Sequence, residues 1–437
     1  MKQIYHIIII AMLLLSQAVW GQQQLALSVE QCRELALAGN EDIKKANNDY
    51  LQSELDKAIA FTNYLPKLDG MALGGTLTPG LDLMGMKLEM QGVYMAGINL
   101  TQPVFMGGKI IAANRLAKIG HDCAKESLRK TRAEVIAEAE KSYWTLIAVR
   151  SKVNMLYAYQ SLMDSLYAQI HIGLEAGMCT EAELLRIEAK RSEISYQLQS
   201  AKSGANLCRL ALCNVIGCSF DTEIVPSDTI ITITPPATQN EGIEQRPEYH
   251  LLENQIRAYE QQIKIARSEL LPKVGLSASY MYHGGIDLSG AMPDGQGGYL
   301  PFKHEIKDGN WGVFLSVSVP LFHWGENQKK VKKAKLDLNN AQLDFQKNIK
   351  LMTLEIHQAI QNVNDSYTLV QTATTGQRQA DENLRVMTSR YGNGLCTLTD
   401  LLEAQSTWQQ AQSNMIEAKA QYKIQQVEYL KVSGVLY

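Results

Sequence analysis

The chain has 437 residues, with 42 basic against 45 acidic side chains and a formal net charge of −3. Near-neutrality argues against a nucleic-acid partner, which calls for a basic face. Beyond Leu15 no run of about 18 apolar residues occurs, which excludes a transmembrane helix from the remainder of the chain.

At the start, Lys2 and the apolar run Ile7–Leu15 read as a secretory signal over residues 1–21. Such a run is too short for a bilayer core, which needs about 20 residues. Val19-Trp20-Gly21 offers a cleavage site after Gly21, with Ala18 as the alternative. Cys32 does not stand at the cleavage point, so no lipid anchor is expected, and the mature chain is exported.

Val29–Tyr64 patterns as a helix that Leu65-Pro66 stops, because a residue before proline is kept out of the αR region. Strands are expected at about 67–77 and 91–102, joined by the Gly/Pro-rich loop Thr78–Met90. In the second of them Tyr94, Ala96, Ile98 and Leu100 share one face, and Gly97, Asn99 and Thr101 the other. Lys109–Glu175 then reads as one helix about 100 Å long at 1.5 Å per residue. Thr180–Ile216 returns as a shorter helix. Gly217–Gln245, with the β-rich run Thr229–Thr234 and Pro235-Pro236, is an irregular linker. The order then recurs: helix Arg246–Leu270, Leu271-Pro272, strands about 273–283 and 311–320 around the loop Gly284–Asn310, and helices Asn327–Tyr391 and Thr397–Val432.

The recurrence is also literal. Gly177-Met-Cys-Thr-Glu-Ala-Glu-Leu-Leu185 returns as Gly394-Leu-Cys-Thr-Leu-Thr-Asp-Leu-Leu402. Leu100-Thr-Gln-Pro-Val-Phe105 answers Val317-Ser-Val-Pro-Leu-Phe322, and Tyr64-Leu-Pro-Lys-Leu68 answers Leu270-Leu-Pro-Lys-Val274. Three landmarks in one order indicate a tandem duplication. The first repeat covers 22–216, a linker 217–245, and the second repeat 246–437.

The second long helix carries a seam at Val331, Ala334, Leu338, Ala341, Phe345, Ile349, Met352, Ile356, Ala359 and Val363, with steps of three and four. Leu336, Leu343 and Leu354 form a stripe on another face. Two stripes suit a helix with a neighbour on each side, as a closed ring of helices requires. The strands alternate apolar with small or polar residues, and Tyr280, Tyr282, Trp311, Phe322 and Trp324 lie near their ends. That dyad fits membrane strands with an aromatic belt and equally an antiparallel sheet in a soluble domain. If the strands meet lipid, four per chain cannot close a barrel, so copies must assemble.

No chemistry-bearing motif stands out. His171, His250, His283, His304, His323 and His357 lack metal-ligand spacing, and no phosphate loop or nucleophile elbow occurs. His304-Glu305 with Asp287, Asp294 and Asp308 reads as a solvated surface loop. Neither an enzyme activity nor a cofactor is expected. The seven cysteines (32, 123, 179, 208, 213, 218 and 396) include no Cys-x-x-Cys, and Cys208, Cys213 and Cys218 fall five apart on a helix, facing different ways. They read as small core residues.

The duplicated order, Leu-Pro-Lys before strands one and three, and Pro-Leu-Phe after the fourth strand together resemble the TolC-like outer-membrane efflux proteins over the whole mature chain. Arg390–Ala404 resembles that family's second helical turn-around, and Ser28–Leu37 its N-terminal segment. The resemblance implies a mainly helical protein with a small β part. Duplicated long-helix hairpins would form an α-barrel, and four strands per chain would contribute to a trimeric 12-stranded transmembrane β-barrel. It implies a location in the outer membrane of a Gram-negative-type bacterium, reaching into the periplasm. It further implies a homotrimeric exit duct of a tripartite efflux or type I secretion system, in contact with outer-membrane lipid, a periplasmic adaptor and an inner-membrane transporter.

Carried over by position, Glu183, Asp400 and Glu403 are the periplasmic gate and selectivity candidates, with Tyr391 beside them. Gly177, Thr180, Gly394, Thr397 and Leu401 would form the adaptor-docking tip. Rings of carboxylates select cations and repel one another. Glu183 and Asp400 also read as capping-box residues of Thr180 and Thr397, a structural role that leaves Glu403 as the carboxylate not explained by capping. The arginine that helps latch the family's tip would fall at Cys396, so that latch is absent. A disulfide between Cys179 and Cys396 is an open alternative for these equivalent positions. A periplasmic adaptor would carry one hairpin between β-rich lobes, and a soluble coiled-coil scaffold would need no alternating strands; both remain competing readings.

Overall fold

The computed structural model describes residues 24–83, 86–228, 231–236, 242–293, 296 and 298–436. The expected signal peptide and its cleavage site therefore lie outside the described residues. The chain divides into two compact units, each drawing on both sequence repeats: one holds residues up to 48 with 126–250 and 347–437, the other 49–125 and 251–346.

The helices are α1 (Val29–Gly39), α2 (Glu41–Thr62), α3 (Lys109–Glu175), α4 (Glu181–Ile216), α5 (Pro247–Ser268), α6 (Glu326–Gly392) and α7 (Leu398–Val432). Both α3 and α6 are uninterrupted for 67 residues. Along α6 the expected seam holds: Ala341, Met352, Ile356, Ala359 and Val363 are buried, while Leu336, Leu343 and Leu354 stand exposed in the single chain.

The expected helix Val29–Tyr64 is instead two helices. Gly39 lies against the backbone of Ile216 and Gly217, where no side chain fits. Asn40 is extended (φ −65°, ψ 132°); its Nδ2 donates to the Val215 carbonyl at 2.9 Å and its Oδ1 accepts from the Asp42 N–H at 2.9 Å. A tertiary contact thus breaks a continuous helical pattern.

One sheet was not foreseen. β1 (Gln24–Leu27) pairs in parallel with β4 (Glu223–Pro226), and Leu27 and Ile224 seal its inner face. Beneath it Tyr143 is fully buried, its hydroxyl shared between the Leu27 carbonyl (2.9 Å) and the Asp228 carboxylate (2.7 Å). Burial, then Asp228, pushes the phenol far up. Glu140, also buried, is paired with Arg33. The β-rich Thr229–Thr234 run forms no regular strand over its described residues, although Ile231 is buried.

The larger sheet has the order β2-β3-β5-β6, from β2 (Lys67–Leu83), β3 (Met86–Met106), β5 (Lys273–Pro293) and β6 (Tyr299–Ser318), all antiparallel. These strands are about twice as long as the sequence suggests, so the expected loops Thr78–Met90 and Gly284–Asn310 are largely strand. Their glycines and prolines mark bulges and edges rather than loops. Gly92 (φ 74°) and Gly285 (φ 77°) meet across a bulge between β3 and β5, where a Cβ on Gly285 would strike the Gly92 carbonyl. Pro301 sits opposite Ala291 on the edge strand β6, the kind of strand that tolerates proline. Leu68, Ile98, Leu100, Leu276, Val313, Leu315 and Val317 lie on one face, and Gly97, Asn99, Ser277, Ser279 and Ser316 on the other. Tyr94 and Tyr282 (ring centroids 6.1 Å apart), with Tyr280 opposite Trp311, bound the apolar band at one end.

Among the described residues none of the seven cysteines is in a disulfide. Contrary to expectation, Cys218 lies beyond the α4 C-cap Gly217 (φ 70°), and its N–H bonds the Cys213 carbonyl at 3.0 Å. That closure turns the Cys218 side chain back to hydrogen-bond Cys213. Burial pushes the Cys213 thiol up, with Cys218 adding to it; burial takes Cys32 up to about 12.

Candidate functional site

The two helical turn-arounds are built alike. α3 ends in a closure in which Met178 N–H bonds the Gly173 carbonyl (2.8 Å) and Gly177 N–H the Leu174 carbonyl (3.0 Å), with Gly177 at φ 72°. α6 ends the same way: Leu395 N–H to Arg390 O (2.8 Å), Gly394 N–H to Tyr391 O (3.0 Å), Gly394 at φ 71°. The left-handed step admits glycine readily and a side chain poorly. Three residues on, Thr180 and Thr397 cap the returning helices α4 and α7.

Both capping boxes are complete. Thr180 N–H donates to Glu183 Oε2 at 2.8 Å, and Glu183 N–H to Thr180 Oγ1 at 3.3 Å. Thr397 N–H and Oγ1–H donate to Asp400 Oδ2 at 2.9 and 2.7 Å. Those bonds hold the Asp400 carboxyl below the usual aspartate range, Thr397's hydroxyl being the larger cause. Glu183 and Asp400 are thus engaged in shaping the turns. Glu403, one turn further along α7, is exposed, and its carboxylate has no bonding partner among the described residues.

A shared core joins the hairpins. Tyr159, Met163, Leu166, Ile170, Ile187 and Ile194 from the first pack with Leu398 and Leu401 from the second. Leu401, expected in an accessible docking surface, is 2% exposed, so it supports the tip from within. Tyr391 is half-buried against the same core, its phenol pushed up by burial and then by Cys179, Glu183 and Cys396. Gly177, Thr180, Gly394 and Thr397 are exposed.

Sequence reasoning missed three features here. Arg186 on α4 donates to Thr399 Oγ1 on α7, a direct bond between the hairpins. Higher up, Gln409 Nε2 donates to Gln197 Oε1 at 2.6 Å, a second cross-hairpin bond. At the apex Met178 and Leu395, equivalent positions in the two repeats, are 80% and 66% exposed. Two apolar residues after the same glycine in both copies was the legible signal for the last.

A cavity of about 1010 Å³ lies beside β4, lined by Arg150, Lys202, Arg209, Asp221 and Glu223. Its cations are already committed: Arg150 to the Ile224 carbonyl (2.6 Å), Arg209 to the Phe220 and Thr222 carbonyls (2.6 and 2.7 Å), and Lys202 over the Tyr157 ring (4.6 Å). They hold the belt of chain around β4 in place.

The model of the outer membrane efflux protein family matches residues 32–207 and 240–435, one stretch in each repeat. Outer membrane protein OprJ of Pseudomonas aeruginosa is 20% identical over 413 residues, covering 92% of this chain and 82% of its own. Outer membrane protein TolC of Escherichia coli is 26% identical over 182 residues, 40% of this chain and 35% of its own. Among solved structures, the Campylobacter jejuni CmeC outer membrane channel superposes with a TM-score of 0.80 at 21% identity, covering 94% of this chain and 86% of that one. CusC superposes at 0.77 with 14% identity, covering 95% of each. Two membrane-type hairpins with free edges, two helical hairpins and a family match through both repeats lead to one identification: the chain belongs to the outer membrane efflux protein family and is an outer-membrane efflux channel reaching into the periplasm.

Proposed function

We propose that three copies of this chain form the exit duct of a tripartite efflux or type I secretion assembly. In this reading a periplasmic adaptor docks at the helical turn-arounds, and an inner-membrane transporter drives cargo that the duct conducts passively. The observation that carries the assembly is the four-stranded sheet, whose edge strands β2 and β6 are both free. Lipid tolerates no open sheet edge, and single-chain bacterial barrels need at least eight strands. Three copies supply twelve.

At the periplasmic end Glu403 is the gate residue we favour. Its carboxylate is exposed and unpartnered, whereas those of Glu183 and Asp400 close capping boxes. Copies of Glu403 around an axis select cations and oppose closure. Tyr391 and the Arg186–Thr399 bond hold the two hairpins of one copy together. The exposed Met178 and Leu395, with Gly177, Thr180, Gly394 and Thr397, are the adaptor's contact surface.

The test is light scattering on detergent-purified protein together with single-channel recording in planar bilayers. A trimer with small cation-selective conductance, less selective in Glu403→Ala and larger in Arg186→Ala, supports the reading. Unchanged selectivity in Glu403→Ala removes Glu403 from the gate, and a monomer without conductance ends the duct proposal.

A further inference from the structure

Helix α4 and its repeat counterpart α7 end in the same closure, and only the first carries thiols in it. Cys218 N–H bonds the Cys213 carbonyl at 3.0 Å, and Val435 N–H bonds the Leu430 carbonyl at 3.1 Å. Gly217 (φ 70°) and Gly434 (φ 73°) supply the left-handed step in each. Cys213 answers Leu430, and Cys218 answers Val435, at the spacing that separates Gly177 from Gly394. The closure therefore needs no sulfur, since its sister forms with two aliphatic side chains.

A closure of this kind carries the side chains of its two end residues into contact, the proximity that a disulfide requires. Here the contact is a hydrogen bond between the Cys213 and Cys218 side chains. Cys213 is fully buried in the core around Leu27, Tyr143, Leu212 and Ile224, and Cys218 is half-buried at its margin. Arg209 Nη1 stands 4.0 Å from Cys213 Sγ, held there by the Phe220 and Thr222 carbonyls. That cation favours the thiolate, which burial otherwise opposes. Cys32 and Cys208 share the same core, and the Cys32 thiol is spent on the Ala139 carbonyl at 3.8 Å.

A chain bound for the outer membrane passes through a compartment that oxidises neighbouring thiols. We propose that Cys213 and Cys218 form a disulfide that staples the end of α4 to the turn leading into β4. The oxidant is itself a disulfide, carried by a protein of that compartment or by a small thiol such as glutathione. Cys218, the more accessible, attacks one of its sulfurs as the thiolate, forming a mixed disulfide and expelling the other sulfur as a thiol. Cys213 then attacks the Cys218 sulfur and expels the second thiol. Two electrons and two protons pass from the cysteine pair to the oxidant, which leaves as two thiols.

The staple lies where the break between α1 and α2 is made. A Cβ on Gly217 would fall 2.7 Å from the Gly39 carbonyl, and Asn40 Nδ2 donates to the Val215 carbonyl at 2.9 Å. Arg209 already holds the turn that follows, through Phe220 and Thr222. A covalent bond between Cys213 and Cys218 fixes the residues on which α1, α2 and the β1–β4 pair all lean.

The test begins with full-length protein extracted from outer membranes, equilibrated with oxidised glutathione, blocked with N-ethylmaleimide and digested with trypsin after unfolding. Cys213 and Cys218 fall together in the peptide Leu210–Arg257, because the Arg246-Pro247 bond resists the protease, whereas Cys32 and Cys208 fall in other peptides. Mass spectrometry is expected to find Leu210–Arg257 without maleimide and lighter by two hydrogens than its dithiol form. Reduction should speed cleavage of the folded protein within Gly217–Thr222 roughly tenfold, as loss of a disulfide predicts. Cys218→Val, which takes the sister closure's residue, should be cut at one rate with or without reductant. A parent peptide carrying two maleimides, a bridge from Cys218 to the Cys32 peptide, or equal cleavage of oxidised and reduced parent overturns the staple. None of these readouts depends on copy number or conductance, so the exit-duct reading is tested separately.

Discussion

The helical turn-arounds and the membrane sheet solve the same problem, satisfying backbone polar groups, in opposite ways. At the turn-arounds the backbone groups are met within one chain: glycine closures use the last carbonyls, capping boxes use the first N–H groups, and Ile187, Leu398 and Leu401 are buried together. The sheet keeps two open edges and an exposed apolar face in the isolated chain. A helix satisfies its own ladder; a sheet edge needs another strand. The turn-arounds therefore satisfy their backbone groups within one chain, whereas the sheet edges leave theirs for another strand.

The largest expected effect tests the first half of that contrast. Ile187→Ala empties a fully buried site between the hairpins and should cost about 2–5 kcal/mol, read as a lower urea midpoint for the helical signal whether or not copies assemble. If the loss appears only in the assembled protein, the tip is not self-sufficient. On the sheet, Leu315→Ala should leave the monomer's spectrum intact and lower the temperature at which assembled protein dissociates, since its side chain is exposed in the single chain. Equal losses in monomer and assembly would erase the contrast.

Smaller effects sharpen it. Thr397→Ala removes the hydroxyl that accepts from Asp400 N–H and donates to its carboxylate, and should cost about 1 kcal/mol, read as faster proteolysis at the second turn-around. The same box has a pH signature. Asp400 is held below its ordinary value of 3.8 by Thr397, so its contribution is fully present above that value and fades as pH falls through the lowered one. In Asp400→Asn the acid-side loss of helical signal at this turn should disappear; persistence of the same profile would assign it to other carboxylates.

Legibility in the sequence followed the range of the forces. The bounds of α3 came directly from its pattern, and Thr180-x-x-Glu183 and Thr397-x-x-Asp400 announced both caps, because helices and their ends are decided within a few residues. The break at Gly39-Asn40 was hidden, because its cause is the distant Ile216 backbone. The β1–β4 pair was hidden too, being four residues on each side separated by most of the first repeat. The strands were read too short because Gly and Pro mark both loops and bulges, and only the partner strand's register distinguishes them. Leu401 looked like part of a docking surface until its burial against the first hairpin placed it in the core.

By itself, the sequence determined the duplication, the helix lengths, the alternation of the strands and the membership in an outer-membrane efflux family. Each of these depends on periodicity and local stereochemistry, which the order of residues contains. Tertiary structure alone decided which carboxylates are free, which bonds join the two hairpins, and that Leu401 lies in their shared core. Those depend on which surfaces meet across hundreds of residues, and pairing of that kind is a property of the folded backbone.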